Sequence, residues 1–141
     1  MNELQELRKK IEKQDYQGAL TIVNELEEMS LEDKLNKIYS YMVILLVHLI
    51  KQEAEKRTTS SWKRSISNSV KYINKTNKRR RAGGYYATEE SLKEIIEEAY
   101  DHAIEEASYE AFEGKISVAE LAQKVDASSI KKKALSLLEK E

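Results

Sequence analysis

Cysteine is absent from these 141 residues, so the chain can build no disulfide framework, thiolate zinc site, iron–sulfur cluster or cysteine nucleophile. Proline is absent as well, and only four residues are glycine. No long hydrophobic run exists: the most apolar stretch, residues 38–50, spans thirteen residues and contains Ser40 and His48, short of the roughly twenty needed to cross a bilayer. No membrane partner is therefore expected. Nor does residues 1–14 carry an export signal, because Leu4, Leu7 and Ile11 are separated by charged side chains where a signal peptide needs an unbroken apolar core. The cytoplasm is the expected compartment. A net charge of -1 gives no global attraction to nucleic acid or anionic lipid.

What remains is 40% hydrophobic and 35% charged. That is too apolar for a disordered chain and richer in charge than the usual roughly 25%, a mixture that suits amphipathic helices. Leu4, Leu7 and Ile11 recur at helical spacing, and Asp15 offers a cap for a second helix carrying Leu20, Val23, Leu26 and Met29. Ser30 and Asp33 resemble a capping box, which predicts a third helix starting there. Its seam of Leu31, Leu35, Ile38, Met42, Leu45 and Leu49 is flanked by a second, Tyr39, Val43, Leu46 and Ile50, so its middle should be covered on several sides. Thr58 to Ser60 supply turn and cap residues for a fourth helix with Trp62, Ile66, Val70 and Ile73. Residues 76–87 form the one long loop, and Thr88 caps a fifth helix running to about Glu113 before Gly114. Ser117 with Glu120, and then Asp126, open one or two short helices. The expected fold is an all-α, single-domain antiparallel helical bundle over 1–141: an N-terminal hairpin at 1–29, a central bundle at 30–113 and short C-terminal helices at 114–141.

Three segments carry a family likeness: Leu45-Leu46-Val47-His48-Leu49-Ile50-Lys51, Thr59-Ser60-Ser61-Trp62-Lys63-Arg64-Ser65-Ile66 and Glu98-Ala99-Tyr100-Asp101-His102-Ala103. Through them residues 15–107 resemble the bacterial family known as domain of unknown function 29, frequent in cyanobacteria. The resemblance implies an all-helical fold and a bacterial cytoplasmic origin, and it brings no activity, cofactor or catalytic residue. The chain departs from the family pattern at Gln52, where a tryptophan is often found, and in its short C-terminal helices.

The candidate interaction residues are His48, Lys51, Trp62 and Lys63. A lone histidine at a core edge usually hydrogen-bonds a carboxylate or carbonyl, and Trp62, placed beside residues 51–55 across the turn, is a packing anchor with a cation–π contact to Lys51 or Lys56. His102 lies one turn after Glu98, but a bundle metal site of the di-iron type needs Glu-x-x-His twice, a motif this sequence lacks. Charge is strongly segregated. Residues 56–88 hold ten bases and no acid, whereas 89–113 hold ten acids and one base. Either the two helices satisfy each other's charges, or the segment 56–81 is a nucleic-acid or phosphate-binding surface with Lys78, Arg79, Arg80 and Arg81 as candidate anion ligands. Gly83-Gly84 lacks the spacing and following lysine of a phosphate-cradling loop. No catalytic constellation and no cofactor motif is visible. The sequence thus points to a non-enzymatic helical module acting through protein contacts, with a partner or with itself.

Overall fold

A computed structural model describes residues 2–79 and 83–139. Among these residues the fold is all-α: α1 (Glu3–Glu12), α2 (Tyr16–Glu55), α3 (Ser60–Asn77), α4 (Glu89–Glu110), a 3-10 turn (Ala111–Gly114), α5 (Val118–Gln123) and α6 (Ala127–Glu139). The chain divides into two compact units, Met1–Lys34 and Leu35–Glu141. No helix among the described residues is long and apolar enough to cross a membrane.

Most helix starts follow local chemistry. Asp15 Oδ1 accepts the Gly18 amide at 3.0 Å, Thr59 accepts from Trp62 N–H and Thr88 from Ser91 N–H. Ser117 and Glu120 close a reciprocal box, as Asn2 and Gln5 do for α1. Each satisfies amides that a helix start would otherwise leave unpaired. The Asp15 carboxyl is held below its ordinary range by the Gly18 amide and by Lys10.

The box expected at Ser30 and Asp33 is not formed. Both residues lie inside α2, which runs unbroken from Tyr16 to Glu55, so the second and third helices of the sequence reading are one. Nothing around Ser30 forces a break, and an interior serine costs a helix only about 0.5 kcal/mol among neighbours that favour the helix. The fifth helix of that reading also ends early, at Glu110. Phe112, Glu113 and Gly114 then take three successive left-handed conformations, with φ of 51°, 59° and 75°. A Cβ on Gly114 would stand 2.8 Å from the Tyr109 carbonyl oxygen, so glycine is required there by space as well as by backbone angle.

In the first unit α1 buries no residue, and the buried apolar side chains are Ala19 and Ile22. In the second unit the core lies around the second half of α2, where Ile38, Met42, Leu45, Leu46 and Ile50 are fully buried. Truncating one of these to alanine carries the roughly 2–5 kcal/mol cost of an unfilled core site. The small seam of Ala99, Ala103 and Ala107 on α4 is fully buried and lets a neighbouring backbone come close. α6 packs on both α4 and α3 and contributes Ile130, Ala134 and Leu138 to the core. Its first turn is held by α2: Asp126 N–H donates to Glu53 Oε2 at 2.7 Å.

Candidate functional site

The turn between α2 and α3 brings Trp62 back onto α2. The Lys51 ammonium lies 4.7 Å from the Trp62 ring centroid, and the Arg57 guanidinium lies 4.7 Å from the same centroid. Arg57, not Lys56, is therefore the turn residue that meets the ring; Lys56 takes a left-handed φ of 53°. Lys51 Nζ also donates to Glu110 Oε1 at 3.0 Å. Arg57 pairs with Glu55 at 3.1 Å, and the second oxygen of Glu55 accepts the Phe112 amide at 3.4 Å. Thus α2, the α2–α3 turn and the end of α4 meet at one indole.

Each charge in this cluster is committed. The Lys51 side chain is 8% exposed and bonded to Glu110, which ties up the ammonium as a structural pin instead of leaving a free amine for chemistry. Next to the cluster is a cavity of about 560 Å³ lined by Arg57, Trp62, Glu110, Phe112, Lys115 and Lys124 among others, and the Lys124 ammonium lies 5.3 Å from the Phe112 ring centroid.

His48 does not join the cluster. Its Nδ1 donates to the Ile44 carbonyl at 2.8 Å, one turn back along α2, a local bond of the kind a core-edge histidine makes. Lys63 is exposed and lines a groove with Leu49, Ile66, Val70, Leu137 and Lys133. His102 lies 3.6 Å from Glu106 and stacks on Tyr39. Among the described residues no three of His, Cys, Asp and Glu converge as a metal site would require.

The basic loop has an ordered base. Asn77, buried at the end of α3, donates through Nδ2 to the Ala87 carbonyl at 3.2 Å and accepts the Ala87 amide on Oδ1 at 2.7 Å. Its own carbonyl accepts from Tyr86 N–H at 2.9 Å. Lys78 and Tyr85 form an antiparallel bridge, Arg79 N–H donates to the Gly84 carbonyl at 3.0 Å, and the Arg79 guanidinium lies 5.7 Å from the Tyr86 ring centroid. Lys78 and Arg79 are thereby held at the base of the loop. Arg80 and Arg81, the other two candidate anion ligands, lie outside the described residues.

The expectation that the basic and acidic helices neutralise each other is not met. Among the described residues no salt bridge joins α3 to α4, and the α4 acids that are paired meet Lys51, Lys93, His102 and Lys131. Lys63, Arg64, Lys71 and Lys75 all remain exposed.

Apolar surface is concentrated elsewhere, in the first unit. Leu4, Ile11, Tyr16, Leu20 and Met29 are each more than half exposed, and Leu31 is exposed at 40%. Leu4, Leu7 and Ile11 share one face of α1, and Tyr16, Leu20 and Leu31 lie within about 60° of arc on α2 at 100° per residue. Of the second-helix stripe expected from the sequence, Leu20 and Met29 are among these exposed side chains.

A family model described as "Domain of unknown function DUF29" matches residues 2–132. It includes all three segments quoted from the sequence and reaches beyond them into α6. Comparison with curated proteins and with solved structures finds no match.

Proposed function

The chain belongs to the DUF29 family, and from that premise we propose that it is a non-enzymatic module that works by contact with a partner protein. The observation that carries this reading is the uncovered apolar face of the first unit: α1 buries no residue, and Leu4, Ile11, Tyr16 and Leu20 stay exposed. Contiguous exposed apolar surface rimmed by charge is characteristic of interaction sites. Aromatic residues such as Tyr16 are favoured anchors within them. The reading extends to the finer fold and setting: one antiparallel bundle, held by its core and by the Trp62 cluster, in a bacterial cytoplasm.

The test compares the intact chain with a Leu4→Ser, Ile11→Ser, Leu20→Ser variant in affinity capture from source lysate, with and without nuclease. A protein retained by the intact chain, lost with the variant and indifferent to nuclease supports the reading. Equal retention by both chains overturns it.

A second reading, nucleic-acid or phosphate binding through 56–81, is supported by the unpaired bases of α3 and the ordered base carrying Lys78 and Arg79. It requires affinity for a single-stranded RNA oligonucleotide that falls steeply with salt and weakens on replacing Arg79, Arg80 and Arg81 with alanine. No binding at 50 mM salt removes it.

A further inference from the structure

Two surfaces of the second unit are complementary in charge and spacing. The first is a groove of about 500 Å³ with Leu49, Ile66, Val70 and Leu137 in its lining and Lys63 and Lys133 beside them. From Ser67 in that groove, Lys71 and Lys75 follow along α3 at steps of four residues, and Lys78 stands three residues further on as the extended C-cap of the helix. All three lysines are exposed and unpaired by any salt bridge among the described residues.

The second surface is the outer face of α4. Its exposed acids Glu98, Asp101 and Glu105 make no salt bridge among the described residues, and they lead at steps of three, four and four to Tyr109, whose side chain is 66% exposed. Read backwards from Tyr109, the steps are four, four and three. When the two helices lie antiparallel with Tyr109 level with Ser67, Glu105 falls opposite Lys71, Asp101 opposite Lys75 and Glu98 opposite Lys78. The equal rise of about 1.5 Å per residue keeps the first two pairs level over about 12 Å, with Lys78 just past the end of α3 beside Glu98.

We propose that this chain binds a second copy of itself, with α4 of one copy lying antiparallel along α3 of the other and Tyr109 seated in the groove formed by Leu49, Ile66, Val70 and Leu137. Within one molecule α3 and α4 share α6 as a neighbour and exchange no salt bridge among the described residues, so these charges are available in trans. A tyrosine in an apolar groove is the kind of anchor that dominates an interface, while the flanking exposed charges set register and direction and add an attraction that salt screens. The contact joins two different surfaces and is therefore heterologous. It uses neither α1 nor the first turns of α2, so it stands apart from the partner-binding reading above.

The experiment is sedimentation equilibrium of the full chain over a concentration series, at 50 mM and 500 mM salt. Self-association that weakens at least tenfold at the higher salt is expected, since exposed charges are screened within a few ångströms there. Lys71→Glu with Lys75→Glu makes both faces acidic, and Asp101→Lys with Glu105→Lys makes both basic. Each double variant should be monomeric, and an equimolar mixture of the two should associate. Tyr109→Ser should weaken the intact chain's association at least tenfold with its helical circular dichroism unchanged. A chain that is monomeric throughout at 50 mM salt, association indifferent to salt or to the reversals, or a mixture that stays monomeric would overturn the proposal.

Discussion

The Lys51–Glu110 pair is lopsided, and that asymmetry makes a sharp prediction. The lysine side chain is 8% exposed whereas the glutamate is 50% exposed, so the two partners should differ in what their loss costs. Glu110→Gln keeps the shape but leaves a buried ammonium facing the Trp62 ring at 4.7 Å without its carboxylate. Stranding a charge from a fully buried pair costs about 3–5 kcal/mol, and the solvent that reaches Glu110 reduces this to about 1–2 kcal/mol. Lys51→Met removes the buried charge, keeps an apolar stem of similar reach and releases Glu110 into water, for a cost under about 1 kcal/mol. Trp62 is the one tryptophan of the chain, so urea unfolding followed by its fluorescence reports this cluster directly. With a slope of about 2 kcal/mol per molar urea, Glu110→Gln should lower the midpoint by about 0.5–1 M and Lys51→Met by less than half as much. The double variant should return close to Lys51→Met. If Lys51→Met loses as much as Glu110→Gln or more, the ammonium is not the stranded partner and the reasoning fails.

The Tyr100 hydroxyl is buried with no hydrogen-bond partner among the described residues, so Tyr100→Phe should be neutral or stabilising by up to about 1 kcal/mol in thermal unfolding. Burial, with Glu53 and Asp126 nearby, pushes the same hydroxyl up to about 12. Its unfolded counterpart ionises near 10, so its contribution is whole below that pH and is lost as pH rises through 12. Ultraviolet titration should show one tyrosine ionising late, and that late component should vanish in Tyr100→Phe. Gly114→Ala must place a side chain in a left-handed conformation and against the Tyr109 carbonyl oxygen, which should cost about 2–3 kcal/mol in urea unfolding. Asn77→Ala removes both bonds to Ala87 and should cost about 2–4 kcal/mol, with hydrogen exchange at the Ala87 amide accelerating more than at amides of α2.

Legibility in the sequence followed range. Caps were readable because donor and acceptor lie within three residues, as at Asp15, Thr59, Thr88, Ser117 and Asp126. The contact between Trp62 and Lys51 was readable because a short turn between two helices leaves few places for an indole to go. The same local logic failed at Ser30, where a plausible cap lost to continuous helix. It could not reach Glu110, fifty-nine residues from Lys51, or Glu53 at the start of α6, since those partners are chosen by packing. Nor could it foresee that Asn77 closes the loop or that Phe112 and Glu113 adopt left-handed backbones, because neither residue type requires that role. The charge segregation was plain in the sequence; which helix lies beside which was not.

The amide of Asn77 stands in for a neighbouring strand: it offers one donor and one acceptor to Ala87 as an opposing backbone would. Closure of the loop is thereby delegated to a few positions at its neck, independent of the amino acids further out. The spacing between the end of α3 and the start of α4 is therefore set by the two bonds of one side chain to Ala87, and it is lost with that side chain.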